Sequence, residues 1–229
     1  MRVERLSLIS GSKKARGLAI IIDVFRAFTT AAYVLANGAE RIIPVGGLEE
    51  AIKLKRANPH WILMGERGGR RVEGFDYGNS PFEISRVDFT GKTVIQTTEA
   101  GTQGIVNARN ADEIILGSFV VAGAVVSHIN AAEPEVVTLV AMGSRGVEPS
   151  PEDELCAAYI EEALLGRTPN FEEMKRRIRE SPSGAKFFDP EQPQYKPEDF
   201  QMALELDRFN FIMRTVKDDC LSIVKAPAT

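Results

Sequence analysis

The sequence has few cysteines, few histidines and no surplus of basic residues. Its 229 residues include two cysteines, too few for a disulfide framework, and we therefore expect a reduced, cytoplasmic protein. Two histidines exclude a histidine-rich zinc site. With 28 Lys and Arg against 32 Asp and Glu, the formal charge is −4, which argues against generic binding of nucleic acid.

Long hydrophobic runs and known nucleotide-binding motifs are also missing. Apolar stretches such as residues 18–22 are far shorter than the roughly 20 residues of a membrane span. Residues 1–10 lack the apolar core of a signal peptide, so we expect no membrane association. No GxGxxG follows a predicted strand, and no GxxxxGK occurs. The hydrophobic fraction of 44% is that of an ordinary globular protein.

Short β-branched runs alternate with stretches of helical periodicity, which is typical of an α/β protein with a largely parallel sheet. The predicted strands are residues 17–24, 41–45, 60–64, 91–98, 113–118 and 135–143, with two more near 211–216 and 221–224. The predicted helices are residues 25–38, 48–57, 98–108, 120–130, 151–165, 171–179 and 198–207. A proline-rich connection is expected over residues 181–197.

Two parts of the chain have the same predicted order of elements. Residues 17–60 and 91–132 both follow a strand-helix-strand-helix pattern, and Gly17 aligns with Gly91. We interpret this as an internal duplication; two similar units without a common origin are the alternative. No change in composition marks a boundary, so we predict a single domain over residues 1–229.

Polar residues follow the predicted strands, where ligands bind in open α/β sheets. They are Asp23, Arg26, Glu66, Arg67, Thr97, Thr98, Ser118 and Arg145. A glycine-rich loop over residues 65–81 adds Asp76 and Asn79, and a loop of this length inside a domain is usually functional.

These residue types suit an anion site built around a divalent metal ion. Asp23, Glu66 and Asp76 offer oxygen ligands that favour Mg²⁺ over softer metals. The arginines at 26, 67 and 145 present a fork that fits phosphate, sulfonate or carboxylate. Phosphoryl chemistry needs this combination, because the charge of the transferred group must be offset.

Several of these residues also have a structural interpretation. Asp23 precedes a helix and could cap it, and Arg26 could simply pair with Asp23. Cys156 is more typical of a buried thiol than of a nucleophile. Glu152 and Asp153 follow Ser150 and Pro151 at a helix start, where acids suit the helix dipole as well as a catalytic or metal-binding role.

Six segments occur in an order that resembles one family, the 2-phosphosulfolactate phosphatases. They are IDVFRAFTTAAYVLANGA (22–39), GERGG (65–69), GFDYGNSP (74–81), TTEAGTQG (97–104), GSFVVA (117–122) and SPEDELCA (150–157). The resemblance implies a three-layer α/β/α fold with a mixed sheet. It also implies Mg²⁺-dependent hydrolysis of 2-phospho-3-sulfolactate to 3-sulfolactate and phosphate, as in coenzyme M biosynthesis, and a homodimer.

We therefore predict a small anionic phosphorylated substrate and a magnesium cofactor. Asp23, Glu66 and Asp76 are assigned to the metal, and Asp23, Arg26, Glu66 and Arg67 to catalysis. Substrate binding is assigned to Asn79, Thr97, Thr98, Ser118 and Arg145.

The sequence departs from the family pattern at Glu99 and Ala100, where the resemblance implies a run such as TTTNGT. A carboxylate at this place would repel a trianion unless it binds metal or points away. Two alternatives therefore stay open: a phosphatase for another phosphorylated hydroxy acid, and a non-catalytic protein that binds such an acid. The sequence also does not separate direct attack by water from attack by Asp23 or Cys156.

Overall fold

A computed structural model describes residues 1–228, so the last residue of the predicted domain, Thr229, lies outside the described residues. The strands are β1 (Arg2–Ser7), β2 (Gly17–Ile22), β3 (Arg41–Pro44), β4 (Ile62–Arg67), β5 (Arg70–Arg71), β6 (Thr93–Thr97), β7 (Ala111–Gly117), β8 (Val136–Ala141), β9 (Phe211–Lys217) and β10 (Leu221–Pro227). The helices are α1 (Leu8–Ser12), α2 (Ala27–Ala36), α3 (Leu48–Ala57), α4 (Pro81–Ile84), α5 (Gly101–Asn107), α6 (Ala122–Ala132), α7 (Pro151–Leu164), α8 (Phe171–Glu180), α9 (Pro182–Ala185) and α10 (Pro197–Ala203). Short 3₁₀ turns cover Phe119–Val121 and Lys186–Phe188.

All ten strands form one mixed sheet in the order β1-β8-β2-β7-β9-β10-β3-β6-β4-β5. Strands β1, β8, β2 and β7 are parallel to one another, and β3, β6 and β4 form a second parallel block. Three antiparallel steps, β7 to β9 to β10 to β3, join the blocks, so the two blocks run in opposite directions. The predicted three-layer α/β fold with a mixed, largely parallel sheet is confirmed.

Both faces of the second block are buried. Successive residues of a strand point to opposite faces, and the pairs Ile42 and Ile43, and Val94 and Ile95, divide accordingly between two apolar clusters. Ala51 of α3 packs in the smaller cluster, whereas α2 and the first block contribute to the larger one. This double burial explains why the strands read as nearly continuous apolar runs in the sequence.

The strands of the two proposed repeat units interleave in the sheet. Strand β2 of the first unit pairs with β7 of the second, and β3 pairs with β6. The first strand of each unit therefore pairs with the second strand of the other unit. This symmetric pairing is compatible with the predicted duplication. The duplication itself stays a prediction.

The loops after β2 and β6 meet although four strands separate them in the sheet. At the usual spacing this separation is about 24 Å, yet the Gln96 side chain donates to the Ala27 carbonyl at 3.1 Å. A Cβ at Gly101 would lie 2.7 Å from Ala27 Cβ, so only glycine allows this approach. The loop after β2 and the loop after β6 thus lie together beside one cavity.

The structure also contains elements that the sequence pattern did not predict. Strand β1 pairs along its whole length with β8 at the edge of the sheet, although charged residues interrupt its apolar pattern.

Among the helices within residues 1–228, none is long and apolar enough to cross a membrane.

Candidate active site

A cavity of about 620 Å³ lies where three parts of the chain meet. The first is the sheet edge with the glycine-rich loop, which contributes Asp23, Glu66 and Asn79. The second is the connection from β8 into α7, and the third is the segment around α9. Predicted site residues that line the cavity are Asp23, Arg26, Glu66, Asn79 and Arg145.

Three buried carboxylates form the acidic wall of the cavity. Asp23, Glu66 and Glu152 are 4%, 8% and 4% exposed. Asp153, just behind this wall, accepts hydrogen bonds from Val24 N at 2.7 Å and Gly143 N at 2.8 Å. Asp153 therefore ties the ends of β2 and β8 to the start of α7.

Burial raises the pKa of two of these carboxyl groups, Asp23 and Asp153. Burial raises the pKa of Asp23 to about 7, and the charges of Glu66 and Glu152 act in the same direction, against hydrogen bonds from Ala27 N and Gly101 N. Burial, with the charges of Asp23 and Glu152, also holds the pKa of Asp153 well above its ordinary value. Gathering buried carboxylates costs free energy unless a cation offsets their charge.

The carboxylates of the cavity fit only a small set of magnesium ligands. In residues 1–228, no group of three or more His, Cys, Asp or Glu side chains is arranged to hold a metal ion by itself. Mg²⁺ commonly uses one or two carboxylates and completes its shell with water and substrate phosphate. Asp23, with Glu66 or Glu152, fits that smaller set, whereas the expected three-carboxylate site is not assembled.

Asp76 is the predicted metal ligand that the fold places elsewhere. Its Oδ2 accepts hydrogen bonds from Lys55 Nζ at 2.9 Å and Leu63 N at 2.8 Å, and the residue does not line the cavity. The expectation that Asp76 converges with Asp23 is therefore wrong. The glycine-rich loop bends back along β4, and this turns Asp76 toward α3.

Arg26 lines the cavity, but its guanidinium is engaged by the protein. Nη1 donates to Asp199 Oδ2 at 2.6 Å and to Gln194 O at 2.9 Å, while Nη2 donates to Gly69 O at 2.8 Å. Asp199 also accepts from the Ser80 hydroxyl at 2.6 Å. Instead of pairing with Asp23, Arg26 holds the α10 region against the glycine-rich loop.

Arg67 and Thr97 bond to each other outside the cavity. Arg67 Nη2 donates to Thr97 Oγ1 at 3.0 Å, and neither residue lines the cavity wall. The expectation that Arg67 shares the cleft with Asp23 is wrong, because its guanidinium turns along β4 toward the end of β6.

Thr98 and Ser118 are also outside the cavity. Thr98 N donates to Thr102 Oγ1 at 2.9 Å, and Thr102 N donates back to Thr98 Oγ1 at 3.1 Å, which closes the first turn of α5. The Ser118 hydroxyl bonds to Thr29 Oγ1 at 2.7 Å and is fully buried. Both hydroxyls satisfy local structure rather than face a ligand.

Two buried polar atoms on the cavity wall have no partner within the described chain. They are Asn79 Oδ1 and Ser150 Oγ, in residues that are 5% and 4% exposed. Buried polar groups are normally hydrogen-bonded, so this pair indicates a polar ligand. Sequence reasoning assigned Asn79 to the substrate but read Ser150 only as a helix cap, a bond that its side chain does not make.

Two other cations line the cavity, Arg145 and Lys186, and unlike Arg26 they are not held by hydrogen bonds to the described chain. Arg145 is exposed at the mouth of the cavity, and within the described chain its side chain makes no hydrogen bond or ion pair. Lys186 was missed, because it lies in the segment read as a proline-rich connection. Its only sequence signal is a lone lysine beside two phenylalanines, just after a serine-proline helix start.

Glu99 and Ala100 line the cavity at the point where the sequence departs from the family pattern. Glu99 Oε2 accepts a hydrogen bond from Gly68 N at 2.9 Å, and Glu99 N donates to Glu66 Oε1 at 3.0 Å. The Glu99 carboxylate therefore faces the glycine-rich loop while it adds negative charge to the wall.

Cys156 is fully buried in α7 and does not line the cavity. Burial raises the pKa of its thiol well above the usual range, and the charges of Asp153 and Asp207 act in the same direction. A thiol held in its neutral form away from the ligand is not placed as a nucleophile.

The fold and cavity define an α/β protein with a polar pocket that is lined by both acidic and basic side chains. The model of the 2-phosphosulpholactate phosphatase family matches residues 4–218. The chain is 34% identical over 203 residues to a protein of Bacillus subtilis, with 87% of each chain covered, and 37% identical over 165 residues to one of Clostridium acetobutylicum, with 72% and 69% covered. A Thermotoga maritima protein is 40% identical over 146 residues, which are 64% of this chain and 62% of that relative. All three are named "Probable 2-phosphosulfolactate phosphatase".

The chain belongs to the 2-phosphosulfolactate phosphatase family. The family and the enzyme class predicted from the sequence, phosphoric monoester hydrolase, are thereby confirmed. The roles predicted for individual residues stay predictions, and the geometry described above says which of them face the cavity.

Proposed function

We propose that this protein hydrolyses 2-phospho-3-sulfolactate to 3-sulfolactate and phosphate, the reaction that serves coenzyme M biosynthesis. The observation that carries the proposal is a cavity in a member of this family with an acidic wall and two cations, Arg145 and Lys186, that make no hydrogen bond or ion pair within residues 1–228. The substrate bears phosphate, sulfonate and carboxylate on three carbons. Such a molecule needs several compensating charges at close quarters.

A magnesium ion would be held by Asp23 and by Glu66 or Glu152. When bound, it would offset the charge of the phosphoryl group and favour attack by water. Glu152 has the simpler set of protein contacts, a hydrogen bond from the Ser183 hydroxyl to one of its oxygens. Both oxygens of Glu66 accept backbone hydrogen bonds, from Gly69 N at 2.8 Å and Glu99 N at 3.0 Å.

The remaining residues of the wall orient the substrate. Ser150 Oγ and Asn79 Oδ1 are buried and have no partner within residues 1–228. The Ser150 hydroxyl can donate to the substrate, whereas Asn79 Oδ1 only accepts and is available to ordered water. Arg145 receives an anionic group at the mouth of the cavity. Arg26 and Asp199 act as positioning residues, because they fix the wall without facing the ligand as donors.

Phosphate release tests the proposal most simply. The purified protein is incubated with 2-phospho-3-sulfolactate or with 2-phospholactate, which lacks the sulfonate, each with Mg²⁺ and with chelator. We expect Mg²⁺-dependent release, and a higher kcat/KM for the sulfonated substrate. Tight binding without turnover of any substrate would instead make the protein a binding protein and overturn the proposal.

Glu99 favours a second candidate, hydrolysis of a phosphorylated hydroxy acid with fewer negative charges. Its carboxylate is on the cavity wall, where it opposes a trianion. If this candidate holds, 2-phospholactate has the higher kcat/KM in the same assay. Replacing Glu99 with Gln should then shift the preference toward the sulfonated substrate.

We also propose a homodimer as the assembly. Light scattering coupled to gel filtration should give twice the mass of 25.2 kDa calculated for one chain. A mass equal to one chain at assay concentration would contradict this proposal.

A further inference from the structure

Lys186 is the cation of the cavity wall that neither the charge pattern nor the family segments indicated. It lies on the 3₁₀ turn Lys186–Phe188, directly after α9, and is partly buried. The side chain lines the cavity, and within residues 1–228 it makes no hydrogen bond or ion pair. A partly buried ammonium group without such partners carries a desolvation cost that an anionic ligand would remove.

Aromatic rings hold the ammonium group in place. Nζ lies 4.4 Å from the centre of the Tyr195 ring and 5.6 Å from that of Phe187. Tyr195 also lines the cavity, and the Arg26 guanidinium lies 5.0 Å from the same ring. A cation over an aromatic face is attracted to it but keeps its N–H donors for other acceptors.

Both acidic and basic side chains act on the Lys186 ammonium group. Burial lowers the pKa of its ammonium group, and Arg26 acts in the same direction, while Glu152, Asp23 and Asp153 oppose the shift. Asp23 follows β2, and Glu152 and Asp153 lie at the start of α7, whereas Lys186 belongs to the C-terminal segment. A ligand in the cavity therefore meets both the acidic wall and the Lys186 ammonium group.

We propose that Lys186 is a specificity-determining residue that binds the anionic group of the substrate other than the phosphate. This inference rests on the proposed function, in which the phosphate lies against the acidic wall with its metal ion. The other two anionic groups are on the neighbouring carbons, and each needs a compensating charge of its own. Lys186 provides the point charge that a carboxylate or a sulfonate requires there.

Binding of the two reaction products tests the assignment without any need for turnover. Isothermal titration measures the binding of 3-sulfolactate and, separately, of inorganic phosphate to wild type, Lys186→Gln and the control Lys196→Gln. Lys196 lies in the same segment and is exposed over the Phe82 ring, outside the cavity. Unchanged melting temperatures show that the variants fold.

We expect Lys186→Gln to weaken 3-sulfolactate binding by about tenfold to a hundredfold, the range for one charge-assisted hydrogen bond. Phosphate binding should be unchanged, and Lys196→Gln should behave as wild type. Equal losses for phosphate and 3-sulfolactate, or no loss for either, would overturn the assignment. If wild type itself fails to bind 3-sulfolactate, the proposed substrate is wrong, and the assignment falls with it.

Two smaller probes identify the bound group. Lactate lacks the sulfonate, and isethionate lacks the carboxylate, and each competes with 3-sulfolactate for the cavity. The probe whose affinity falls in Lys186→Gln carries the group that Lys186 binds. Lys186→Arg should restore part of the affinity, because it keeps the charge but changes the donor geometry.

Discussion

Arg26 illustrates how one buried side chain can serve a site without binding its ligand. Its ion pair with Asp199 is almost fully enclosed, with 3% and 0% of the two side chains exposed. Removal of either partner would leave the other charge buried and uncompensated. The pair also joins α10 to the cavity wall, so its loss should affect both stability and activity.

Asp199→Ala should therefore lower the free energy of unfolding by about 3–5 kcal/mol. Urea denaturation followed by circular dichroism measures this change. Glu173→Ala is the matched control, since its ion pair with Arg176 is on the exposed surface of α8, where solvent screens it, and its loss should change the stability far less. Similar losses for both variants would contradict the role given to the buried pair.

The two cysteines should differ sharply in reactivity. Cys156 is buried and the pKa of its thiol is raised by burial, whereas Cys220 is partly exposed. In the folded protein, a thiol reagent should modify Cys220 first and reach Cys156 only after denaturation. Mass spectrometry of labelled peptides measures both rates.

Cys156→Ser should retain most of the phosphatase activity, because the thiol does not line the cavity. A loss of turnover in a folded Cys156→Ser variant would return the cysteine to the candidate nucleophiles.

At the scale of the elements, the position of Glu66 depends on a close approach between two strands. Gly65 of β4 pairs with Thr97 of β6, with a φ of +152°, and a Cβ at Gly65 would lie 2.0 Å from the Thr97 carbonyl oxygen. No side chain fits there unless the strands separate. The adjacent carboxylate of Glu66 would then move out of the acidic wall.

Gly65→Ala should cost at least about 1–3 kcal/mol in the free energy of unfolding, because it forces atoms into a packed interior. Activity should fall with it. Gly47→Ala is the control, since nothing lies within 4 Å of a Cβ at that position. Thermal denaturation of both variants checks this, and equal melting temperatures would show that the strands can separate at no cost.

The element pattern was largely readable from the sequence, and its failures have physical reasons. Strand β2 was predicted over residues 17–24 and covers Gly17–Ile22. It could be predicted because a buried parallel strand is a continuous apolar run. Strand β1 was missed, since an edge strand with alternating charges lacks such a run. The segment containing α9 was read as irregular, because four-residue helices have no periodicity to detect.

A position at the carboxyl end of a strand predicted part of the site, although Thr98 and Ser118 also follow strands directly and lie outside the cavity. Asp23 and Glu66 face the cavity as expected, since they lie at the carboxyl ends of β2 and β4. Asp76 and Arg67 do not face the cavity. The spacing of residues predicts neither the path of the glycine-rich loop, which places Asp76, nor the direction of the long Arg67 side chain. Lys186 is brought to the cavity by long-range packing alone.

For the whole molecule, the excess of buried acids over unpaired cations suggests that a divalent ion completes the cavity. A ligand that binds only the folded state stabilises it, by about 2.7 kcal/mol at a concentration 100-fold above its Kd. Mg²⁺ should therefore raise the melting temperature of wild type. Asp23→Asn should lose most of that increase, whereas an equal increase in both proteins would place the ion elsewhere.

In the proposed function, the acidic wall around Asp23 carries the chemistry of a phosphatase. The direct test is the rate of phosphate release from 2-phospho-3-sulfolactate by wild type, Asp23→Asn and Asp76→Asn, each with Mg²⁺ and with chelator. We predict turnover by wild type and Asp76→Asn in Mg²⁺ only, and none by Asp23→Asn. Turnover by Asp23→Asn close to that of wild type would contradict the account.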